Sequence, residues 1–209
     1  MNDAAKKAVL EHFPYGLYAV TVKDGGEPHG MTANWVTQAS FDPPMVAVAV
    51  ENESKTIGLI RDARHFAVNL FQQGQRELAA KLGRTSAQAA HKLKGVATKP
   101  APASGAPIVT EALGWVECRL VATLPAGDHT LVLGEVLDAG VEHADAAALT
   151  IRETGFHYAG ESQRSLLMRR MVSRVASGSR GCGAASDAGA DASASRISSS
   201  TSRSSCSRW

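Results

Sequence analysis

The chain has 209 residues, the size of a single domain and enough to bury an apolar core without disulfides or metals. It contains no run of about 20 consecutive apolar residues and no apolar secretory signal, so we expect a cytoplasmic protein with no membrane span. Its 22 basic and 20 acidic side chains form no basic stripe, which gives no electrostatic case for nucleic-acid binding.

The first fifty residues predict one short helix followed by three strands. Asp3 can cap an amphipathic helix that ends at Pro14. Residues 16–22 are rich in aromatic and β-branched residues and predict a strand. The Asp-Gly-Gly turn after them predicts a hairpin whose second strand carries residues 32–37. Two prolines then precede an apolar strand at residues 45–50, which we expect at the centre of the barrel.

The middle of the chain continues with short helices and strands. Ser54 is a candidate N-cap for a helix of one or two turns. Residues 64–71 predict a strand and residues 75–82 a helix of good helix formers. Residues 98–107 are rich in Ala, Pro and Gly and predict a surface loop.

The last predicted strands indicate the fold class. Residues 115–123 and 130–141 predict an antiparallel pair joined by a turn at residues 125–128, and residues 149–158 predict a final strand. Many strands, few helices and no regular βαβ alternation favour an antiparallel barrel. No Gly-x-Gly-x-x-Gly follows a strand, so a Rossmann nicotinamide domain is not expected.

Residues 167–209 differ in composition from the rest of the chain. They contain seven arginines and two aspartates, a net charge of +5, and leave −3 for residues 1–166. Their Ser, Ala, Gly and Arg side chains cannot bury enough surface to offset the entropy of ordering, so we expect a disordered tail. GC-rich DNA that is read out of frame gives a similar composition, so a frameshift is an alternative origin.

One polar segment at residues 28–44 is the strongest functional signal. Thr32, Asn34, Thr37 and Ser40 place hydroxyls and amides where an ordinary strand is apolar. On residue types alone, an antiparallel strand with one solvated face explains this segment without any ligand.

The order of the motifs resembles the flavin reductase-like family of FMN-binding split barrels. The polar segment is similar to the family's flavin-contacting strand and its Ser-x-x-Pro-Pro turn. Five segments resemble family elements in the family's order, and they are residues 13–22, 28–44, 51–60, 64–70 and 127–136. The resemblance implies a mainly β domain at residues 1–166, an antiparallel Greek-key-like split barrel with short helices.

The resemblance also implies a phosphate site at the start of the Ser54 helix. Ser54, Lys55 and Thr56 supply hydroxyls and a cation at a helix N-terminus, where backbone N–H groups and the helix dipole favour an anion. A capped surface helix with a solvated lysine is the alternative for these three residues.

The isoalloxazine ring and the nicotinamide have candidate residues of their own. The residues that the resemblance places near the ring are Thr32, Ala33, Asn34, Trp35, Ser40 and Asn69. For Trp35 there is an alternative, because an aromatic residue on a barrel strand more often belongs to the core or to a dimer interface. His129 matches a family histidine beside the nicotinamide, and a strand-end histidine bonded to backbone is its alternative. No histidine or cysteine spacing indicates a metal site.

The resemblance implies a flavoprotein that binds FMN, with FAD as an alternative, and uses NAD(P)H as co-substrate. The expected activity is flavin reduction by a homodimer that supplies reduced flavin or electrons to a partner oxygenase or another acceptor. The alternatives are a non-catalytic FMN carrier that exchanges electrons with ferredoxin or rubredoxin, a pyridoxamine-phosphate oxidase-like enzyme, and a barrel for haem or a deazaflavin.

Overall fold

The computed structural model describes residues 1–23 and 25–156, and its main element is an antiparallel sheet of seven strands. Two further strands, β6 and β7, form a separate pair. In chain order the nine described strands are β1 (Tyr18–Val22), β2 (His29–Ala33), β3 (Val36–Phe41), β4 (Pro44–Glu51), β5 (His65–Leu70), β6 (Thr98–Pro100), β7 (Pro107–Val109), β8 (Gly114–Ala126) and β9 (His129–Val141). The helices are α1 (Asp3–Glu11), α2 (Lys55–Ala63), α3 (Arg76–Leu82) and α4 (Ile151–Thr154). The tail that we expected to be disordered, residues 167–209, lies outside the described residues.

The order of the sheet, β2-β1-β5-β8-β9-β4-β3, places two consecutive strands at opposite edges. Only Asn34 and Trp35 separate β2 from β3, so the sheet must curve until its edges meet. The Trp35 carbonyl accepts a hydrogen bond from the Ala49 N–H of β4 at 3.0 Å, which extends the pairing of β3 and β4 into the junction. β2 and β3 do not pair with each other within the described strands, so the barrel is split and not closed by a ladder.

This junction confirms the antiparallel fold and corrects one predicted element. The sequence predicted one continuous strand through residues 32–37, but the chain leaves β2 after Ala33 and enters β3 at Val36. The side chains of residues 34 and 35 therefore lie at the seam between the two sheet edges. The pairing partner therefore changes at this junction, from β1 before it to β4 after it.

The apolar strand β4 is buried but is not central. Val48 and Val50 have no exposed surface and belong to the main core, which also contains Phe66 and Ile60. In the sheet order, however, β4 is next to the edge strand β3. The prediction of a central position was therefore wrong. Apolar residues on both faces of a strand indicate that both faces are buried, but they do not indicate the strand's position in the sheet order.

The segment predicted as a surface loop at residues 98–107 is partly a hairpin against the sheet. β6 and β7 pair with each other, and Ala101 and Ala106 are buried between them. These alanines pack with Ala67, Ile108 and Trp115. Small side chains allow the hairpin to approach the sheet closely. The Ala, Pro and Gly content of this segment is typical of a surface loop, so the sequence contained no sign of the burial.

A buried carboxylate on β8 holds the tip of this hairpin. Glu117 has no exposed surface and accepts hydrogen bonds from the backbone N–H groups of Ala103 and Ser104, at 3.0 and 2.6 Å, and from the Ser104 hydroxyl. Burial raises the pKa of Glu117, but these hydrogen bonds stabilise the carboxylate more, so its pKa lies below the ordinary value of 4.5.

The two ends of the domain also differ from their predictions. Asn2, not Asp3, caps α1 by accepting a hydrogen bond from the Ala5 N–H at 3.1 Å. The predicted final strand is reduced to a bridge between Gly16 and Thr150, after which α4 begins. Glu153 accepts two hydrogen bonds from Thr150, which favours a helical turn over a strand. The predicted strand end at residues 157 and 158 lies beyond the described part of the chain.

The remaining elements follow the sequence. β5 and α3 lie within one or two residues of their predicted bounds, and β8 and β9 form the predicted long pair. α2 begins after Ser54 as predicted, but with nine residues it is longer than the predicted one or two turns. Its turn is shorter than predicted, since only Gly127 and Asp128 remain unpaired. No helix among the described residues is long and apolar enough to cross a membrane.

Candidate functional site

One asparagine joins the turn before α2 to the turn between β8 and β9. The Asn52 side-chain amide donates to the Gly127 carbonyl at 3.0 Å, and the Asn52 backbone N–H donates to the Asp128 carbonyl at 3.0 Å. The Thr130 hydroxyl donates to Asn52 Oδ1 at 2.7 Å. These bonds hold the start of β9 at the turn between β4 and α2, where its first residue, His129, pairs with Glu51 of β4. Sequence reasoning missed Asn52, whose only signal was its type at a turn between a strand and a helix.

The start of α2 has an unusual N-cap. Ser54 has the extended backbone of an N-cap residue, but its side chain makes no capping hydrogen bond. Its hydroxyl oxygen is buried and has no hydrogen-bond partner among the described residues. Such a group costs about 1–3 kcal/mol unless a partner arrives. The predicted cap position is therefore confirmed, while the hydroxyl is left without the bond expected of a cap.

The first turn of α2 suits an anion. Lys55 is exposed, Thr56 is only 1% exposed, and none of the residues in this described turn is acidic. The first backbone N–H groups of any helix lack intrahelical partners and carry the positive end of its dipole. Ser54, Lys55 and Thr56 therefore combine two hydroxyls, a cation and helix N–H groups at one point.

The junction between β2 and β3 presents a second buried polar group. The Asn34 side-chain nitrogen is buried without a hydrogen-bond partner in the part of the chain that the structure describes. Ala33 is buried beside it. Thr32 differs, because its hydroxyl donates to the Ala79 carbonyl on α3 at 2.6 Å. The side-chain amide of Asn34 is thus available to a ligand, whereas the Thr32 hydroxyl is already hydrogen-bonded to α3.

Trp35, between β2 and β3, contacts His129, the first residue of β9. Their ring centroids are 4.7 Å apart at an interplanar angle of 42°. His129 is buried, and its Nδ1 lies 2.7 Å from the carboxylate of Asp128, which is largely exposed. This contact fixes the orientation of the imidazole ring, so the predicted strand-end histidine has a carboxylate partner that the sequence did not reveal.

A buried histidine on β2 also reaches the start of α2. His29 is 7% exposed, and its Nε2 lies 3.0 Å from the Thr56 hydroxyl oxygen. Burial and the positive charges of Lys92 and Lys55 lower the pKa of His29 to about 4, so the imidazole is neutral at pH 7. Lys92 is buried as well and donates to two backbone carbonyls at the end of α3, each at 3.0 Å. The sequence marked Lys55 and Thr56 at the helix start but not their contacts with His29 and Lys92, because these residues are far apart along the chain.

Asn69 is not brought together with these residues. It is completely buried, and its side-chain nitrogen donates to the Ala19 carbonyl and the Thr21 hydroxyl, each at 3.1 Å. Its side-chain oxygen accepts from the Val109 N–H at 2.8 Å. Every polar atom of this side chain is engaged in joining β1, β5 and β7.

Ser40 also lies away from the group. It is next to last in β3 and faces Met45 across the pair with β4. At about 3.3 Å per residue, five positions along the strand place it roughly 17 Å from Trp35. Of the predicted site residues, the structure therefore places Trp35 against His129, directly after Ala33 and Asn34 in the chain, and it keeps Ser54, Lys55 and Thr56 together at the start of α2.

Curated relatives of this chain include flavin enzymes. A flavin reductase of Pseudomonas putida is 32% identical over 147 residues, which cover 70% of this chain and 84% of that protein. Diflavin flavoprotein A 1 of Synechocystis sp. is 32% identical over 158 residues, which cover 75% of this chain and 27% of that protein. The chain thus spans about a quarter of the length of the diflavin flavoproteins that it matches.

A solved structure and a family model agree with these relatives. The NADH:FAD oxidoreductase SgcE6 of Streptomyces globisporus, in complex with NAD and FAD fragments, superposes with a TM-score of 0.64 at 30% identity. The match covers 71% of this chain and 87% of that one. The model of the flavin reductase like domain matches residues 10–160, well over half of the sequence. On this evidence, the chain belongs to the flavin reductase like domain family.

Proposed function

We propose that the protein is an NAD(P)H:flavin oxidoreductase that binds FMN, with FAD as the alternative flavin. The observation that carries this proposal is the buried Ser54 hydroxyl at the start of α2, which has no hydrogen-bond partner among the described residues. Membership of the family and the reductases among the relatives support the same conclusion.

In this proposal the start of α2 binds the flavin phosphate. The Ser54 and Thr56 hydroxyls and the first N–H groups of α2 donate to the phosphate oxygens, and Lys55 balances their charge. The unpaired Ser54 hydroxyl then gains the partner that it lacks among the described residues. This role explains why the cap residue makes no bond to its own helix.

The junction between β2 and β3 binds the ring system in the same proposal. Asn34 donates its side-chain N–H to the polar edge of the ring, and the small Ala33 lets the backbone approach. Trp35 covers one side and excludes water from the reacting centre. The bound flavin supplies the hydride-accepting chemistry, and the chain supplies orientation and a dry site.

His129 positions the nicotinamide. Its ring is held by the Asp128 carboxylate on one side and lies against Trp35 on the other. A ring held at both places can hold the nicotinamide amide in one orientation relative to the flavin, which lowers the entropic part of the barrier to hydride transfer. We assign no proton transfer to His129, since hydride transfer to a flavin needs orientation first.

We also propose that two copies of the chain form a homodimer. Residues 121–126 of β8 extend beyond β5, pair only with β9 and are all exposed. Leu124 is 63% exposed and faces the exposed Leu131 across the pair. Phe41, at the end of edge strand β3, is 91% exposed. A second copy would bury this apolar extension, and light scattering coupled to gel filtration should give twice the mass of one chain.

One experiment tests the proposed activity. The absorption spectrum of freshly purified protein identifies flavin, haem or deazaflavin as the bound group. Anaerobic mixing with NADH or NADPH should then bleach bound or added flavin directly, after which reduced flavin or its electrons pass to an oxygenase or another acceptor. Bleaching that requires a ferredoxin or rubredoxin would instead support a non-catalytic electron carrier.

A further inference from the structure

The contact between His29 and Thr56 limits what the threonine hydroxyl can do. The two atoms are 3.0 Å apart, and both side chains are more than nine-tenths buried, so water cannot easily replace either partner. A threonine hydroxyl has one proton to donate and two lone pairs to accept with. If this proton points to His29, it is not available to a phosphate oxygen.

The protonation state of His29 decides the direction of this bond. A pKa near 4 means that the ring carries one proton at pH 7, on either Nδ1 or Nε2. With the proton on Nδ1, Nε2 accepts the hydrogen bond and takes up the Thr56 hydroxyl proton. With the proton on Nε2, His29 donates to Thr56, whose own proton is then free to point at an anion.

We propose that His29 is a positioning residue for the flavin phosphate, which donates its Nε2–H to Thr56 and thereby directs the Thr56 hydroxyl proton at the phosphate. This inference rests on the proposed function, since the phosphate belongs to the flavin. In this role His29, the first residue of β2, helps the protein to bind phosphorylated flavins more tightly than riboflavin. The charges that face His29 are the ammonium groups of Lys92 and Lys55, and both favour an anion at this point.

Flavin-fluorescence titrations with FMN and with riboflavin test this role. His29→Leu should weaken FMN binding roughly tenfold, the contribution of one hydrogen bond to a charged group. Its dissociation constant for riboflavin should stay within about twofold of the wild-type value. His29→Gln places an amide N–H near the position of Nε2 and should recover most of the lost FMN affinity. Equal losses for both flavins, or no recovery in the glutamine variant, would reduce His29 to a packing residue.

A double-mutant cycle shows whether His29 acts through Thr56. Thr56→Val removes the hydroxyl that contacts the phosphate and should itself weaken FMN. In that background, His29→Leu should cause little further loss, because its effect passes through the missing hydroxyl. Additive losses would overturn the proposal. If wild type binds neither flavin, the proposed function fails and not this inference alone.

The tautomer can also be observed without any substitution. The ¹⁵N shifts of the His29 ring in the wild-type protein should report a proton on Nε2 when FMN is bound. A proton on Nδ1 with a bare Nε2 in the FMN complex would contradict the proposal, even if the leucine variant failed to fold.

Discussion

Replacing Asn69 with leucine should destabilise the protein while leaving FMN binding to the folded molecule unchanged. Asn69 has no exposed surface, and it makes three hydrogen bonds to β1 and to the Val109 N–H of β7. Leucine has nearly the same shape but neither donates nor accepts. The prediction separates a structural role for Asn69 from the flavin contact that the family resemblance implied.

The expected cost follows from the groups left behind. The Val109 N–H loses the partner that the structure shows and stays buried, which costs about 1–3 kcal/mol. The Ala19 carbonyl and the Thr21 hydroxyl lose one bond each but keep other partners in the sheet or at Pro107. We therefore expect a total loss of about 2–4 kcal/mol in the free energy of unfolding, a large part of the typical stability of about 5–15 kcal/mol.

Urea unfolding followed by tryptophan fluorescence measures this loss, and flavin titration measures affinity under native conditions. Thr21→Val is the matched control, since its hydroxyl donates to the Pro107 carbonyl at 2.5 Å and accepts from Asn69. The two substitutions should be less than additive because they break one shared network. A stable Asn69→Leu variant that binds FMN about tenfold more weakly would refute this reasoning and restore a direct role at the flavin.

Three further predictions concern other parts of the molecule. Lys55→Ala should weaken FMN by roughly 1.5–3 kcal/mol, about one to two decades in affinity, with little effect on riboflavin, and the deficit should shrink at high salt; equal losses for both flavins in fluorescence titrations would place Lys55 away from the phosphate. His129→Ala should slow anaerobic flavin reduction by NAD(P)H in stopped flow with nearly constant FMN affinity, and parallel losses of both would make it a structural residue. Glu117→Gln should lose about 1–3 kcal/mol of stability at pH 7. Because the folded pKa of Glu117 lies below 4.5, its contribution is complete above that pH and disappears as the pH falls through the folded value. The melting temperatures of the wild type and this variant should therefore converge in acid, and a constant gap from about pH 7 to about pH 3 would exclude this linkage.

Local sequence patterns predicted most of the elements because those elements depend on their own residues. The apolar run of β4, the helix formers of α3 and the long pair of β8 and β9 all carry their signals within one segment. The start of α2 was predictable for the same reason, since a helix N-terminus with Ser54, Lys55 and Thr56 is a local arrangement.

The features that the sequence did not predict depend on contacts between distant segments. Nothing in the residues around Asn34 marks a strand break, because the break arises from the curvature that brings the two sheet edges together. His29 meets Thr56 from another strand, and Asn52 meets a turn 75 residues away. Ala101 and Ala106 are small enough to suit a loop or a core, and only the packed hairpin distinguishes the two.

The seam between β2 and β3 has a consequence for hydrogen exchange. Each of these strands pairs with one neighbour only, so they can separate from the sheet without breaking the ladders of β5, β8 and β9. A flavin that contacts Asn34 and the start of α2 would bridge this opening and bind only its closed form. At a free concentration about 100 times its dissociation constant, such a ligand raises the free energy of opening by about 2.7 kcal/mol, and amide protection should rise on both edges of the sheet together.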